Sequence, residues 1–298
     1  MKKHYWLPQS SRAILQSSTG LLGLLIVILG GVGDEPRAQK YYISAPKVVQ
    51  HQEVPVVFAS KKYSIDQVRQ GDGVVPRISV DNFPVKHSVR LTASQQKDTF
   101  LKTMLPMILQ VNEKILVDRR RYLDILSHKG QLSAGDRMWL LDLSKRYKVD
   151  FRNSQAMLQR LDIVPASLAL GQSAAESGWG LSGIAAKKNS PFGHRVMVRE
   201  KSKEGNIRHR YTLKKFTSLN EAIEAYIHNI NTHPAYANLR NLRYMLRSQG
   251  LESNGLQLAV GLTKYSELGM TYVKKVQKII RQNNLTQFDG AILDSENS

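Results

Sequence analysis

The chain contains no cysteine among its 298 residues. This absence excludes disulfide bonds, a cysteine nucleophile and zinc sites built on cysteine. The eight histidines form no His-Glu-x-x-His pair, and no glycine-rich phosphate loop of the Walker or dinucleotide type occurs. The sequence therefore gives no reason to expect a metal ion, a nucleotide or any other cofactor.

Acidic residues are scarce, since 24 Asp and Glu stand against 43 Lys and Arg, and the formal net charge is +19. A surface with this excess of positive charge attracts polyanions. Nucleic acid, anionic lipid headgroups and the carboxylate-bearing polymer of the bacterial cell wall all meet that requirement. With 42% hydrophobic residues, the chain can bury a core in one medium domain with appendages.

A long uncharged run, residues 13–33, follows Lys2, Lys3 and Arg12 at the N-terminus. Its strictly apolar part, residues 20–33, has the length of a signal-peptide core, whereas the whole run just reaches the ~20 residues that cross a bilayer. Cleavage of residues 1–33 and their retention as a membrane anchor both remain open. Because positive residues stay inside, we expect the rest of the chain in the periplasm or at the outer face of the inner membrane.

Residues 34–92 carry scattered Pro, Gln, Ser and Lys without a sustained helical period. Steps such as Ala45-Pro46 and Val54-Pro55 keep the short apolar pieces out of helices and out of the centres of sheets. The composition therefore predicts an extended linker over 34–92.

The rest of the chain shows helical patterns. Apolar residues recur at spacings of three and four from Ser94 to Leu126, and Ser133 is predicted to cap a second helix, so that 93–153 forms a helical extension. Short helical segments continue to about Gln282, interrupted by a polar stretch at 195–210 that suits a β-hairpin. These patterns predict a mainly α fold with a small β-hairpin in a domain over 154–290.

The stretch 168–180, Leu-Ala-Leu-Gly-Gln-Ser-Ala-Ala-Glu-Ser-Gly-Trp-Gly, places Glu176 in the last turn of a short apolar helix. Pro165 suits the first turn, and Gly178 and Gly180 supply the backbone that ends the helix. The negative end of the helix dipole and the small apolar neighbours both favour a protonated carboxyl. Such a carboxyl can donate a proton to a leaving oxygen, so we predict that Glu176 is a glycosidase acid. A solvated surface glutamate is the alternative.

Further motifs follow the glutamate in order: Ala174-Ala-Glu-Ser-Gly-Trp-Gly180, Asn189 with Phe192-Gly193, Thr232-His-Pro-Ala-Tyr236, and Tyr265-Ser266 with Tyr272. This ordered set resembles the Bax-like branch of the bacterial endo-β-N-acetylglucosaminidases, which are peptidoglycan hydrolases related to the glucosaminidase domain of the flagellar rod-assembly protein. The resemblance extends over about residues 94–284.

The resemblance implies a lysozyme-like fold with an α-lobe, a small β-hairpin lobe and a cleft that holds a glycan strand. It implies that Glu176 is the general acid and that Tyr265 lines the reacting subsite. In some members the second catalytic group is a carboxylate of the hairpin lobe, and in others it is the N-acetyl group of the substrate. The hairpin of this chain offers Glu200, with Glu204 as an equal rival. The Asp of the relatives' Tyr-Ala-Thr-Asp-like motif is altered, because this chain reads Tyr265-Ser-Glu-Leu-Gly.

Four residues are candidate substrate contacts. Asn189, Phe192 and Gly193 are predicted to form the cleft floor, with Asn189 donating to a sugar, and the alternative is that they only close a loop. Tyr236 is a candidate contact, or else a structural residue that closes the C-terminal helices over the glutamate helix.

Three further residues are predicted to lie outside the chemistry. Trp179 is expected to pack beneath the acid, and His194 and His209 are expected to be surface histidines, because nothing in their spacing pairs them with Glu176.

The predicted function is that of an exported peptidoglycan hydrolase that cleaves the bond after N-acetylglucosamine, with water or the 2-acetamido group completing the displacement. A lytic transglycosylase of the same fold and a non-catalytic wall-binding protein are the alternatives. The expected partners are glycan strands and an anionic envelope surface. Nucleic acid is not expected, because an export signal is present and no helix-turn-helix or RNA-binding signature is recognisable.

Overall fold

The computed structural model of the chain describes residues 47–49, 63–71, 73–83, 91–128, 132–201 and 207–295. It describes only the backbone of residues 47–49, 200, 201 and 208. All these residues belong to one compact unit, Ile43–Ser298. Within the described ranges, no helix is both long and apolar enough to cross a bilayer. The predicted signal segment or anchor, 1–33, lies outside those ranges.

Most of the described chain is helical. The helices are α1 (Ile65–Gln70), α2 (Ala93–Ser127), α3 (Ala134–Tyr147), α4 (Ser154–Arg160), α5 (Ala166–Ser177), α6 (Gly183–Lys187), α7 (Leu219–Thr232), α8 (Ala237–Ser248), α9 (Gly255–Leu258) and α10 (Met270–Gln282). Short 3₁₀ turns occur at Pro234–Tyr236, Ala259–Leu262 and Leu285–Phe288.

The helix starts follow local side-chain chemistry. Thr92 and Gln95 form a capping box at the start of α2, in which each side chain accepts a hydrogen bond from the backbone N–H of the other. Ser133 caps α3 and Ser218 caps α7, each by accepting a backbone N–H three residues later. The 35-residue α2 continues through Pro106.

The strands form two separate two-stranded sheets. Strand β1 (Lys47–Val49) pairs in parallel with β2 (Ile78–Val80). Strand β3 (Arg195–Lys201) pairs in antiparallel register with β4 (Ile207–Leu213) and forms the predicted hairpin. The prediction of a mainly α fold with a small β-hairpin is therefore confirmed.

Helix α5 lies in the core and carries the candidate acid at its C-terminal end. All of its residues from Ala166 to Ala174 are buried, and it packs against α10, α9 and α2. Gly171 allows α10 to approach closely, because a Cβ built there would lie 2.7 Å from a side-chain carbon of Ile280. Because α5 is buried from Ala166 to Ala174, its packing fixes the position of Glu176 in the last turn.

Two described parts of the predicted linker, 63–71 and 73–83, are folded rather than extended. Ser64 caps α1 with its side chain, and Arg77 makes a bidentate pair with Glu113 of α2 at 2.6 and 2.8 Å. The composition of this segment did not indicate that it folds. Its residues are buried by helix α2 and by the C-terminal residues, which lie far away in sequence. The core residues that it supplies are Tyr63, Ile65, Val68, Val75, Ile78, Val80 and Phe83.

A buried cluster of charges joins the helical extension to the domain predicted over 154–290. Asp162, which is fully buried, forms a bidentate pair with Arg247 at 2.8 Å and lies 3.8 Å from Arg243 and 3.7 Å from Arg119 of α2. Burial alone would raise the pKa of Asp162, but the three guanidinium charges hold it below its ordinary value. The carboxylate therefore links α2 and α8 through one buried anion.

Candidate active site

Glu176 lies in the last turn of α5, where the helix ends in a left-handed turn. Gly178 has φ 58° and caps the helix, and Trp179 and Gly180 continue in the same region with φ 59° and 77°. The Nζ atom of Lys275 donates to the carbonyl of Ala175 at 3.0 Å and so satisfies one carbonyl of this helix end. Glu176 itself is half-buried, so part of its side chain reaches solvent.

The backbone of Gly193 lies directly against the Glu176 carboxylate. A Cβ built on Gly193 would be 3.4 Å from Cδ of Glu176 and 2.8 Å from its Oε2, and the second distance is shorter than Cβ contacts in proteins, so the carboxyl or the turn would have to shift. Gly193 also has φ +67°, a conformation that strongly favours glycine. The backbone of Gly193 therefore borders the Glu176 carboxyl group, and no side chain lies between them.

A directed chain of hydrogen bonds ends at the same carboxylate. The Tyr226 hydroxyl donates to Oε1 of Gln172 at 2.7 Å, and Nε2 of Gln172 donates to the Tyr272 hydroxyl at 3.2 Å. The oxygen of Tyr272 already accepts from Gln172, and its proton is available for the bond to Glu176. Burial, then the charge of Glu176 and this hydrogen bond, raise the pKa of Tyr272, so that the phenol stays protonated at neutral pH.

Tyr265 lies next to Tyr272 and faces the same site. Its ring stacks on that of Tyr272 with a centroid distance of 5.1 Å and an interplanar angle of 13°. Its hydroxyl donates to the backbone carbonyl of Phe192 at 2.6 Å, which ties it to the residue before Gly193. Burial, followed by the interactions with Tyr272 and Glu176, raises the pKa of Tyr265 well above its ordinary value.

These groups can supply one carboxyl and neutral phenol donors, but the phenols cannot act as bases at neutral pH. A carboxyl that can hold or release a proton beside fixed hydrogen-bond donors is suited to protonate a leaving group and to stabilise charge that develops next to it. Within the described ranges, no group of three His, Asp or Glu side chains could hold a metal ion.

The structure brings together Glu176, Gly193 and Tyr265, three of the residues predicted from sequence. Phe192 joins them only through its carbonyl, because its side chain is buried and stacks on Tyr226 at 3.9 Å. This ring is inside the core and not on a cleft floor, because its parallel stacking on Tyr226 removes it from solvent.

Asn189 is also placed differently from the prediction that it donates to a sugar. It is buried, and its Nδ2 donates to the carbonyl of Asp81 at 3.1 Å and to Oδ1 of Asn82 at 2.8 Å. Both amide hydrogens are thus already used by residues of the upstream segment. The residue holds a loop in place, which was the alternative considered for it.

Tyr236 is buried, and its ring centroid lies 6.0 Å from that of Tyr265. Burial raises the pKa of the Tyr236 hydroxyl. The described ring contacts of Trp179 are with α2 and not with Glu176. Its ring packs edge-on against Phe100 with a centroid distance of 5.4 Å, and the ammonium of Lys97 lies over its face. Both residues therefore support the elements that carry the site, and Tyr236 does so from behind Tyr265.

His194 and His209 differ in exposure. His194 is half-buried, with edge-on contacts to Phe192 and Phe216, and is not the surface histidine that we expected. The residue was misjudged because both aromatic neighbours come from core positions that the hairpin sequence does not show. Burial, and then the charge of Lys214, lower the pKa of His194 to about 4. His209 is exposed, as predicted.

The second predicted carboxylate is not located. Glu200 lies in β3 opposite Arg208, but only its backbone is described. Glu204 lies outside the described residues. Both stay candidates from sequence.

Two residues of the site, Gln172 and Tyr272, were not predicted as functional. Gln172 precedes Glu176 by four residues and so lies on the same helix face, a spacing that could have indicated it. Tyr272 belonged to the motif set but had no assigned role, because the sequence does not reveal that α10 passes beside the end of α5.

Comparisons with known proteins agree on one family. The model of the family described as "Glucosaminidase: Mannosyl-glycoprotein endo-beta-N-acetylglucosaminidase" matches residues 152–285. The chain is also similar to "Protein bax" of Escherichia coli (strain K12), with 34% identity over 188 residues, an alignment that covers 61% of this chain and 67% of that protein.

Two solved structures show similarity at low identity. One is the catalytic domain of the autolysin Auto from Listeria monocytogenes, with a TM-score of 0.31 and 17% identity, covering 57% of this chain and 97% of that domain. The other is a C-terminally truncated glycoside hydrolase domain of Salmonella typhimurium FlgJ, with a TM-score of 0.29 and 21% identity, covering 48% of this chain and 96% of that domain.

Proposed function

We propose, since the chain belongs to the Bax-like branch of the glucosaminidase family, that it is an exported peptidoglycan hydrolase with Glu176 as its general acid. The bond cleaved is the glycosidic bond after N-acetylglucosamine within a glycan strand, which makes the enzyme an endo-β-N-acetylglucosaminidase. Membership of a glycosidase family supports the reaction class, and the geometry around Glu176 supports the residue.

One observation carries the assignment of the acid. The Glu176 carboxyl is half-buried at the end of α5, with the bare backbone of Gly193 against it and the phenol of Tyr272 close enough for Glu176 to raise the pKa of that phenol. A surface glutamate would have neither neighbour fixed in this way. The arrangement restricts the carboxyl to a narrow range of orientations, which is what proton transfer to a bound sugar requires.

The proposed step begins with Glu176 protonated. As the bond between the anomeric carbon and the glycosidic oxygen breaks, the proton of Glu176 moves to that oxygen, which leaves as an alcohol. The anomeric carbon then gains either the oxygen of a water molecule, whose proton passes to a second carboxylate for which Glu200 and Glu204 are the candidates, or the oxygen of the 2-acetamido group. In the second case, water later opens the cyclic intermediate, and the carboxylate of Glu176 accepts the proton that this water loses.

The phenols of Tyr272 and Tyr265 support this step as neutral donors. Tyr272 donates to the carboxylate that Glu176 becomes after proton transfer, and so stabilises the product of that transfer. Tyr265 holds the Phe192 carbonyl and with it the turn that ends at Gly193. Neither tyrosine needs to ionise in this scheme, which agrees with their raised pKa values.

We also propose that the chain acts in the cell envelope, in the periplasm or anchored to the outer face of the inner membrane by residues 1–33. The net charge of +19 would hold the enzyme near an anionic wall or membrane surface. Such long-range attraction weakens as salt shortens the screening length, so binding to isolated cell walls should fall as ionic strength rises.

The test of the acid is a peptidoglycan zymogram with Glu176→Gln, which keeps the shape of the side chain and one acceptor oxygen but cannot supply an acidic proton. The matched control is Glu252→Gln, because Glu252 is exposed and lies outside the motifs of the site. We expect clearing by the wild type and the control, and none by Glu176→Gln. Equal clearing by all three proteins would refute the role of Glu176.

Mass spectrometry of the digest identifies the reaction. Hydrolysis leaves reducing N-acetylglucosamine ends, whereas a lytic transglycosylase leaves anhydromuramyl ends. Intact strands after long incubation with the wild type would indicate a wall-binding protein without catalysis.

A further inference from the structure

We propose that Asn82, in the segment upstream of the matched family region, is a positioning residue that holds the turn 189–193 against Glu176. This inference rests on the proposed function, because it assigns Asn82 a part in the reaction at Glu176. The family model matches residues 152–285, and Asn82 lies 70 residues before that region begins. The segment that contains it would then complete the active site rather than only connect the domain to the N-terminus.

The first argument is the contact between Asn82 and Asn189. Oδ1 of Asn82 accepts a hydrogen bond from Nδ2 of Asn189 at 2.8 Å, and the carbonyl of Asp81 accepts the other amide hydrogen at 3.1 Å. Asn189 is 4% exposed and has φ +47°, a left-handed conformation that asparagine adopts more readily than most residues with a side chain. Both hydrogens of its buried amide are bound by the upstream segment, which therefore helps to fix its position.

The second argument is what the turn carries. Its backbone is closed by hydrogen bonds from Ser190 N to the carbonyl of Ala185 and from Gly193 N to the carbonyl of Ser190. Four residues after Asn189, the turn places Gly193 against the Glu176 carboxylate. Because the segment is short and held at both ends, a shift at Asn189 is passed on to Gly193.

The third argument is that the support is itself rigid. Phe83, next to Asn82, stacks on Phe100 of α2 with a centroid distance of 6.0 Å and an interplanar angle of 10°. The carbonyl of Asp81 also accepts from Leu219 N at 3.0 Å, at the start of α7. The upstream segment is therefore fixed to two helices independently of the turn, so that it can position the turn.

Asn82 is suited to a test because its side chain is exposed and its removal leaves no buried cavity. We would measure kcat and KM on purified peptidoglycan for the full chain and for Asn82→Ala, Asn82→Asp and Asn153→Ala. Asn82→Asp keeps an oxygen that accepts from Asn189. Asn153→Ala removes the cap of α4, which lies outside the site, and controls for a general loss of stability.

We expect kcat of Asn82→Ala to fall about five- to tenfold, as for the loss of one hydrogen bond that positions a reacting group, with KM nearly unchanged. Asn82→Asp should recover most of that loss, and Asn153→Ala should keep wild-type kcat. Hydrogen exchange provides a readout that does not depend on activity: the amides of Ser190 and Gly193 should exchange faster in Asn82→Ala, while those of α5 stay protected.

Unchanged exchange at Ser190 and Gly193 in Asn82→Ala would overturn the proposal, and so would a loss of activity that Asn82→Asp does not recover. If the wild type cleaves no peptidoglycan, the proposed function fails. The exchange data then still decide whether Asn82 fixes the turn.

Discussion

Gly193 lies so close to Glu176 that a Cβ atom built on it would be 2.8 Å from Oε2 of the carboxyl group. An alanine at this position must either push the carboxyl away or shift the turn, and it must also adopt φ +67°. We predict that Gly193→Ala lowers kcat about 100-fold or more, because a displacement of about 1 Å is enough to misalign a reacting group. Steady-state kinetics on purified peptidoglycan measure this effect.

Gly250→Ala is the matched control for that substitution. Gly250 has φ +72°, and a Cβ built there would meet no atom within 4 Å. Both variants should lose about 1 kcal/mol of stability from the left-handed backbone, but only Gly193→Ala should lose activity. Wild-type activity in Gly193→Ala would mean that the contact with Glu176 has no role in the reaction.

The phenol of Tyr272 lies beside Glu176 and can donate to its carboxylate, and Tyr272→Phe removes only that hydroxyl. We predict a fall in kcat of about tenfold to 100-fold, because one preorganised donor beside the reacting group is lost. The variant should also leave Nε2 of Gln172 without its described acceptor, at a cost of about 1 to 3 kcal/mol in stability.

Tyr226→Phe separates these two effects. Tyr226 donates to the other end of the Gln172 amide and has no described bond to Glu176. It should therefore lower stability by a similar amount, measured by thermal unfolding, with a smaller effect on kcat. An equal loss of kcat in both variants would show that these hydrogen bonds affect activity through the stability of the fold and not through the Tyr272 hydroxyl beside Glu176.

The contrast between the predicted and the observed site has a physical origin. Glu176 was predictable because its signals are local: an apolar helix, a glycine that ends it and small neighbours all occur within a dozen residues. The helix starts at Ser133 and Ser218 were predictable for the same reason. Side-chain caps act over three residues and so appear directly in the sequence.

The partners of Glu176 were not predictable in this way. Tyr272 reaches the site from α10, about 100 residues later, and Asn82 reaches Asn189 from 107 residues earlier. Such contacts depend on how helices pack and leave no periodic pattern. The folded segment at 63–83 was missed for the same reason, since Phe83 becomes a core residue only through Phe100 and Gly180.

Asp162 is the buried anion that joins α2 to α8, and we predict that Asp162→Asn destabilises the protein by about 3 to 5 kcal/mol. The substitution would leave the charges of Arg119, Arg243 and Arg247 without their shared carboxylate in a buried site. Urea unfolding would measure the loss. Because the cluster is remote from the described contacts of Glu176, the folded fraction of the variant should keep its activity.

Asp142→Asn is the control for the aspartate. Asp142 pairs with Arg146 at 2.8 Å, but its side chain is 62% exposed, so the pair should contribute less than about 1 kcal/mol. If the two variants were equally stable, the buried cluster would not hold α2 to the body of the protein.

His194 should make stability depend on pH in a predictable direction. Burial between Phe192 and Phe216, and the nearby charge of Lys214, lower its pKa in the folded state to about 4, whereas a histidine in the unfolded chain titrates near 6.5. Between these two values the unfolded chain binds a proton that the folded chain does not, so acidification favours unfolding. The contribution of His194 is fully present above about pH 6.5 and is lost progressively as the pH falls towards 4.

His194→Phe keeps an aromatic ring between the same neighbours but removes the titration. We predict that the wild type loses roughly 1 to 2 kcal/mol more stability than this variant when the pH is lowered from 7 to 5. Urea unfolding of both proteins at several pH values gives this difference directly, and the pH dependence of all other groups cancels. Parallel pH profiles for the two proteins would mean that His194 binds its proton as readily in the folded state as in the unfolded chain.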